Sequence, residues 1–260
     1  MINDIFHICL GGKRIEISPL YSYLQDYCKE YVINQDNAVQ SDFSIAVSEQ
    51  DIIFERQKSE AEDIKEGIPI RHFSDEYLET LAVYRQIAEQ MIDYDTLLVH
   101  GSAIAVDGQG YLFTAKSGTG KSTHTRLWRE YFGDRAVMVN DDKPLLKITE
   151  DGVMVYGTPW DGKHRLSSNI SVPLKAICIL NRDETNHIEQ AFGKTKYPLL
   201  LQQTYRSGDP LKLSKTLQLL DRMIQNTSIY VLGCNMEQAA AKVAYEGMQT
   251  VKSKERRETR

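Results

Sequence analysis

The sequence predicts an α/β fold, a mixed sheet covered by helices and preceded by a small strand-rich region. Three observations carry this prediction. LKAICIL (174–180) is almost unbroken apolar sequence, the pattern of a strand covered on both faces. From residue 74 onward, strand-like and helix-like periodicities alternate along the chain. The glycine-rich segment GTGKS (118–122) lies between the strand-like YLFTA (111–115) and a helix-like run.

The elements follow in order. IFHICLGG (5–12) and KRIEI (13–17) form an expected hairpin around Gly11 and Gly12, and LYSYLQDYCKEY (20–31) suggests a short helix entered near Pro19. DFSIAVS (42–48) and DIIFER (51–56) read as two strands, and the acidic EAEDIKEG (60–67) as solvent-exposed. Ser74 is the expected N-cap of a helix over 75–92, where Tyr77, Leu81, Tyr84, Ala88 and Met91 make one stripe; Tyr77 at N3 leaves the capping box incomplete. TLLVHGSAIAVD (96–107), YLFTA and RAVMVND (135–141) read as strands, with a helix from Lys121 through Trp128. LLKI and VMVYG are expected to form a hairpin around Asp151–Gly152. Helices over 194–205 and 212–226, the strand SIYVLG (228–233) and a helix over 236–249 complete the pattern.

A length of 260 residues allows one large domain or a core with an attachment. The expected division is an α+β region at 1–73 packed on a core at 74–251, with a charged tail at 252–260. The net charge is -5, but KSKERRETR at the end carries +3 and leaves -8 for the rest, which argues against a uniformly basic nucleic-acid binder. Cys9, Cys28, Cys178 and Cys234 lie far apart without CxxC spacing, as expected of thiols in a reducing cytosol. A basic leader with an apolar run is lacking, as is any stretch of 18 apolar residues, so a cytoplasmic protein without membrane contact is expected.

Four segments carry chemistry. In AKSGTGKST (115–123) small residues let backbone N–H groups curl around phosphate oxygens; Lys121 can reach the terminal phosphates and the Ser122 hydroxyl can ligate Mg2+. The helix amino terminus adds positive potential. Ala115 stands where the strict GxxxxGKS pattern has glycine. VNDD (139–142) ends a strand 19 residues after Ser122; adjacent carboxylates beside a phosphate call for a cation or a proton, although an isolated Asp-Asp is commonly a solvated turn. His100 in VHGSA is either a structural histidine or a site residue. GTPWDGKHR (157–165) offers Asp161, Lys163, His164 and Arg165, either as a clamp on a transferring phosphoryl group or as an ordinary charged turn. Arg126 faces either this centre or solvent.

The ordered set VHGSAIAVDGQGYLFTAKSGTGKST, VNDD and GTPWDG resembles the HPr kinase/phosphorylase and phosphoenolpyruvate carboxykinase superfamily, and more closely the HPr-kinase-related proteins encoded near peptide-modification systems. The match covers about 97–180, with a softer extension through LGCNMEQAAAKVAYEG to 247. The resemblance implies a phosphoenolpyruvate-carboxykinase-like P-loop core on a mixed sheet. It implies that Ser117, Gly118, Thr119, Gly120, Lys121, Ser122 and Thr123 bind the phosphates of ATP, with Ser122 and Asp142 holding Mg2+. Asp141 would be the general base, His100 would lie near the metal or phosphate, and Lys163 and Arg165 match the basic catalytic loop only loosely. The chain departs from the HPr kinases at Thr123, where they carry an acidic residue, and it shows no carboxy-terminal signature for engaging a carrier protein. It is also much shorter than a full carboxykinase.

The implied activity is an ATP-dependent serine-kinase-like transfer of the γ-phosphoryl group to a hydroxyl on a peptide or protein. The alternatives are a small-molecule kinase acting on a hydroxylated substrate, a nucleotide-binding regulatory protein without transfer, and a carboxykinase-like enzyme. Nucleic acid and membrane are not expected partners; a homo-oligomer is compatible with the resemblance.

Overall fold

The computed structural model describes residues 4–34 and 40–249; the charged tail at 252–260 lies outside the described residues. Strands β1 (Phe6–Leu10) and β2 (Lys13–Ser18) form the expected antiparallel hairpin, turned by Gly11 and Gly12 at φ 58° and 76°. Positive φ at both central positions matches the right-handed twist of the flanking strands. The helix expected over 20–31 is shorter: α1 spans Tyr23–Tyr27, and a 3-10 turn at Lys29–Tyr31 leads into β3 (Val32–Ile33). β4 (Phe43–Ala46) pairs parallel with β2, so the amino-terminal sheet has the mixed order β3-β1-β2-β4.

The strand expected at 51–56 is instead part of helix α2 (Glu49–Glu66). Its ends explain the difference. The Ser48 hydroxyl accepts from the Asp51 amide while the Asp51 carboxylate accepts from the Ser48 amide, and Gly67 at φ 69° closes the helix. Ile53 and Phe54, which suggested a strand, are exposed on it. The acidic stretch 60–67 is accordingly helical and not wholly solvated, since Asp63 is buried and accepts from Arg71.

Helix α3 (Asp75–Met91) begins as expected, with the Ser74 hydroxyl accepting from the Tyr77 amide at 3.3 Å. The expected stripe divides. Ala88 and Met91 join Leu78, Ala82, Val83 and Ile87 in the core, whereas Tyr77, Leu81 and Tyr84 are half-buried on another side. The core cluster around α3 includes Ile8, Ile15 and Ile17 of the amino-terminal sheet together with Leu98, Leu145 and Trp160.

The larger sheet has nine strands: β5 (Thr96–Leu98), β6 (Ser102–Val106), β7 (Gln109–Thr114), β8 (Ala136–Asn140), β9 (Leu145–Ile148), β10 (Val153–Tyr156), β11 (Ser171–Arg182), β12 (His187–Ala191) and β13 (Ser228–Cys234). The expected 96–107 strand is broken at His100–Gly101, and the polar β12 carries no apolar alternation that would reveal it. β11 starts against β10 and then runs parallel between β7 and β13. Its alternation explains the apolar run. Ile177 and Ile179 face α5 (Gly193–Gln203) and α6 (Pro210–Asn226), through Leu200, Leu219 and Met223. Ala176, Cys178 and Leu180 face α4 (Lys121–Phe132) and α7 (Ala239–Gln249), through Leu127, Trp128, Ala240 and Ala244. β9 and β10 form the expected hairpin.

Gly157 lies where three segments touch: an added Cβ would stand 2.1 Å from the Ser168 carbonyl oxygen and 2.7 Å from that of Val139. Overpacking against backbone has no cheap relief, so Gly157→Ala is expected to destabilise the fold by about 1–3 kcal/mol or more. A urea midpoint equal to that of the parent chain would contradict this.

Candidate active site

Strands β7, β11 and β13 run in one direction, so their carboxyl ends, Thr114, Arg182 and Cys234, share an edge of the sheet. The loop 115–120 leaves β7 at that edge and enters α4. Gly118 at φ 74° and Gly120 at φ 120° make the turns, whereas buried Ala115 takes no positive φ. The loop therefore begins without the conformation that glycine at 115 would permit. Amides in the first turn of α4 have no intrahelical acceptor, so this end of the helix carries the positive potential that favours an anion. Ser117 and Gly118 are exposed; Thr119, Gly120, Ser122 and Thr123 are half-buried.

Lys121 folds back along the loop, with Nζ 3.5 Å from the Ala115 carbonyl oxygen and the residue only 9% exposed. Burial pulls its pKa down, opposed by the nearby carboxylates Asp142 and Asp141. A charge so placed is little screened, and a buried amine of this kind can interact strongly with an anion.

The carboxylates occupy different surroundings. Asp141 is buried and accepts from the Ser102 hydroxyl at 2.6 Å; that hydroxyl lies 2.9 Å from Thr125 Oγ1 on α4. Asp142 is half-buried and 3.3 Å from His100 Nε2. Asn140 forms the turn between them and the following Lys143: its Oδ1 accepts from the Asp142 and Lys143 amides, and its amide group donates to Thr158. Burial, with Lys143 and Lys121 close by, lowers the His100 pKa to about 4. Its ring is therefore neutral at neutral pH.

The structure thus brings His100, Lys121, Asp141 and Asp142 together at the loop. Lys163 is exposed, and with Arg165 it lines the adjoining cavity. The Arg165 guanidinium already has partners, donating to the Pro159 and Tyr27 carbonyls, pairing with Asp161 at 2.9 Å and stacking 4.1 Å from the Tyr27 ring. It ties the 157–165 loop to α1. Asp161, with its pKa pushed up by burial, also accepts from Ser167. Arg126 pairs with Glu130 on the exposed side of α4.

Several participants were not singled out from sequence. Ser102, Thr125, Asn140 and Thr158 build the carboxylate turn, and Lys143 joins Asp142 at the cavity. Arg182 donates to the carbonyls of Gly118 and Thr119, holding the loop from the end of β11. A signal existed for Arg182, since a polar residue closing an apolar parallel strand stands where such sheets bind ligands.

Two cavities flank the centre. One of about 510 Å³ lies between the loop, His124, Arg182 and Asn235. The other, about 740 Å³, is lined by Asp142, Lys143, Asp161 and Lys163 and by aromatic residues from the amino-terminal part. Among the described residues no group of three or more His, Cys, Asp or Glu side chains could hold a metal. An oxygen-only set of one or two carboxylates and a serine hydroxyl suits Mg2+, which takes its remaining ligands from phosphate and water.

His124 lines the smaller cavity, and its Nε2 accepts from the Trp128 indole, leaving Nδ1 to carry the proton. Burial lowers its pKa from the usual 6.5 to about 3. Between those values the unfolded chain binds a proton that the folded chain refuses. The His124 contribution to stability is therefore complete above pH 6.5 and falls by about 1.4 kcal/mol per pH unit as acid is added through that window. His100 acts in the same direction. In His124→Gln the acid limb is expected to flatten by one proton; a stability curve parallel to the parent's between pH 4 and 6.5 would contradict this.

The fold and site define a mixed α/β protein with a glycine loop, a buried lysine and paired carboxylates at one sheet edge. The chain belongs to the family of the SynChlorMet cassette protein ScmC, whose model matches residues 70–207. No curated protein matches it. Among solved structures, the Hpr(Ser) kinase/phosphatase from Coxiella burnetii matches at 10% identity and a TM-score of 0.32, over 57% of this chain and 94% of that one. Among the described residues no helix is long and apolar enough to cross a membrane.

Proposed function

We propose that the protein is an ATP- and Mg2+-dependent phosphotransferase acting on a hydroxyl acceptor. The observation that carries this reading is the buried Lys121 of a glycine loop, set against a carboxylate pair of which one member, Asp142, lines a second cavity with Lys143. The loop residues Ser117, Gly118, Thr119, Gly120 and Thr123 and the first-turn amides of α4 would hold the nucleotide phosphates, and Lys121 would reach the β- and γ-phosphates. Ser122 and Asp141 would hold Mg2+, which supplies positive charge to the phosphate oxygens. This exchanges the roles that the motif resemblance implies for the two acids. What supports the exchange is that Asp141 is buried and tied through Ser102 and Thr125 to α4, while Asp142 faces the cavity.

In the transfer, Asp142 takes the acceptor's hydroxyl proton. The acceptor oxygen forms a bond to the γ-phosphorus, the bond from that phosphorus to the β–γ bridging oxygen breaks, and ADP leaves. His100, neutral and beside Asp142, orients the carboxylate; Lys143 and Lys163 face the charge that develops on the phosphoryl oxygens. Arg165 holds the loop that carries Lys163.

Incubation of the protein with γ-labelled ATP, Mg2+ and an extract of its host, followed by mass spectrometry of the labelled product, tests the reading. A phosphate monoester whose formation requires the intact protein is expected. Label found only as inorganic phosphate would contradict transfer.

A further inference from the structure

The larger cavity combines charged residues with a row of aromatic rings. Four rings form a connected wall: Tyr23 and Tyr27 lie 6.0 Å apart between centroids, Tyr27 and Trp160 6.4 Å, and Trp160 and Tyr84 5.6 Å. Leu81 and Tyr77 of α3 extend it. Asp142, Lys143 and Lys163 line the same cavity. The wall is anchored, because the Trp160 indole donates to the Thr80 carbonyl at 2.9 Å and Arg165 grips the end of α1. Tyr23 nevertheless remains 41% exposed on it and Tyr77 and Tyr84 are only half-buried, whereas Trp160, 4% exposed, backs them and the Tyr27 ring is covered in part by Arg165. Apolar ring area left facing a recess is area that a ligand can cover.

We infer that the acceptor is a small molecule with a flat apolar body, an aromatic alcohol in its simplest form, which lies against the Tyr23, Tyr77 and Tyr84 rings, backed by Trp160, and presents its hydroxyl to Asp142. A volume of about 740 Å³ lies within the ~300–1,000 Å³ of small-molecule sites. A folded protein would instead be engaged over ~800 Å² of surface on each partner. Rings stack on rings in offset or edge-on arrangements, so the wall selects a planar body, while the charged residues favour the end that carries the hydroxyl. The inference rests on the phosphotransferase reading for the hydroxyl, and on the wall alone for the planar body.

The test uses the full chain and three probes: tyrosol, tryptophol and benzyl alcohol, with N-acetylserinamide as the acceptor that lacks a ring. Binding is read by calorimetry, and transfer by phosphorus NMR in the presence of Mg–ATP. At least one ring-bearing probe is expected to bind tenfold or more tighter than N-acetylserinamide. Leu81→Trp, which fills the recess, and Tyr23→Ala, which removes an exposed ring, are each expected to weaken that probe at least fivefold with ATP affinity unchanged. Equal or tighter binding of N-acetylserinamide, or ring-probe affinity untouched by both variants, would overturn the inference. A chain that binds ATP but none of the ring probes overturns this inference and leaves the phosphotransferase reading standing. A chain that binds a ring probe in the wall but never ATP overturns that reading and leaves the planar ligand class intact.

Discussion

Asp142→Asn is expected to lower kcat by about 10²- to 10⁴-fold, the usual contribution of a positioned general base. The amide keeps the size of the side chain and can still hydrogen-bond to His100, so the fold and the ATP affinity should change little. Asp142 lies 3.3 Å from His100 and lines the larger cavity, whereas Asp141 is buried under the Ser102 hydroxyl. Asp141→Asn should therefore act on a different parameter, raising the Mg2+ concentration needed for half-maximal rate. The paired measurement separates the two acids. If Asp142→Asn keeps its rate while Asp141→Asn loses it at saturating Mg2+, the roles are those implied by the motif resemblance.

Lys121→Ala is expected to reduce kcat/KM by at least about 10³-fold, or roughly 4 kcal/mol of transition-state stabilisation. The lysine is buried beside Asp141 and Asp142, so its charge is little screened and acts where phosphoryl charge develops. The alanine variant removes one of the two lysines near these acids, leaving Lys143 beside Asp142, and so adds repulsion toward the nucleotide. Lys163→Ala, by contrast, removes an exposed side chain and should cost much less. Comparable losses in the two variants would mean that burial does not set the strength of these contacts.

The parts of the site that are local in sequence were legible. A strand, two glycines, a lysine and a helix within 111–132 specify the loop from chain geometry alone, and Asp141 and Asp142 follow directly on β8. Arg182 reaches the loop only because β7 and β11 are paired in parallel register, a long-range fact. The aromatic cavity was still less accessible, since its wall draws on α1, α3 and the loop after β10. The single stripe expected on α3 divides: Tyr77, Leu81 and Tyr84 face this cavity, while Ala88 and Met91 enter the core. The misread strand at 51–56 had a readable counter-signal: Ser48 and Asp51 stand at capping-box spacing, and such ends outweigh a short apolar run. Lys163 and Arg165, similar in the sequence and both exposed, differ in space because Arg165 is bound to Tyr27, Pro159 and Asp161.

On the proposed reading, the loop 115–123 with Lys121 holds the phosphates of a nucleotide. Calorimetric titration of Mg–ATP into the intact chain and into Lys121→Ala tests it most directly. One site per chain is expected in the parent protein, with Kd raised tenfold or more in the variant, about 1.4 kcal/mol or above. Equal affinity in the two proteins, or no binding of Mg–ATP to the parent chain, would contradict the account.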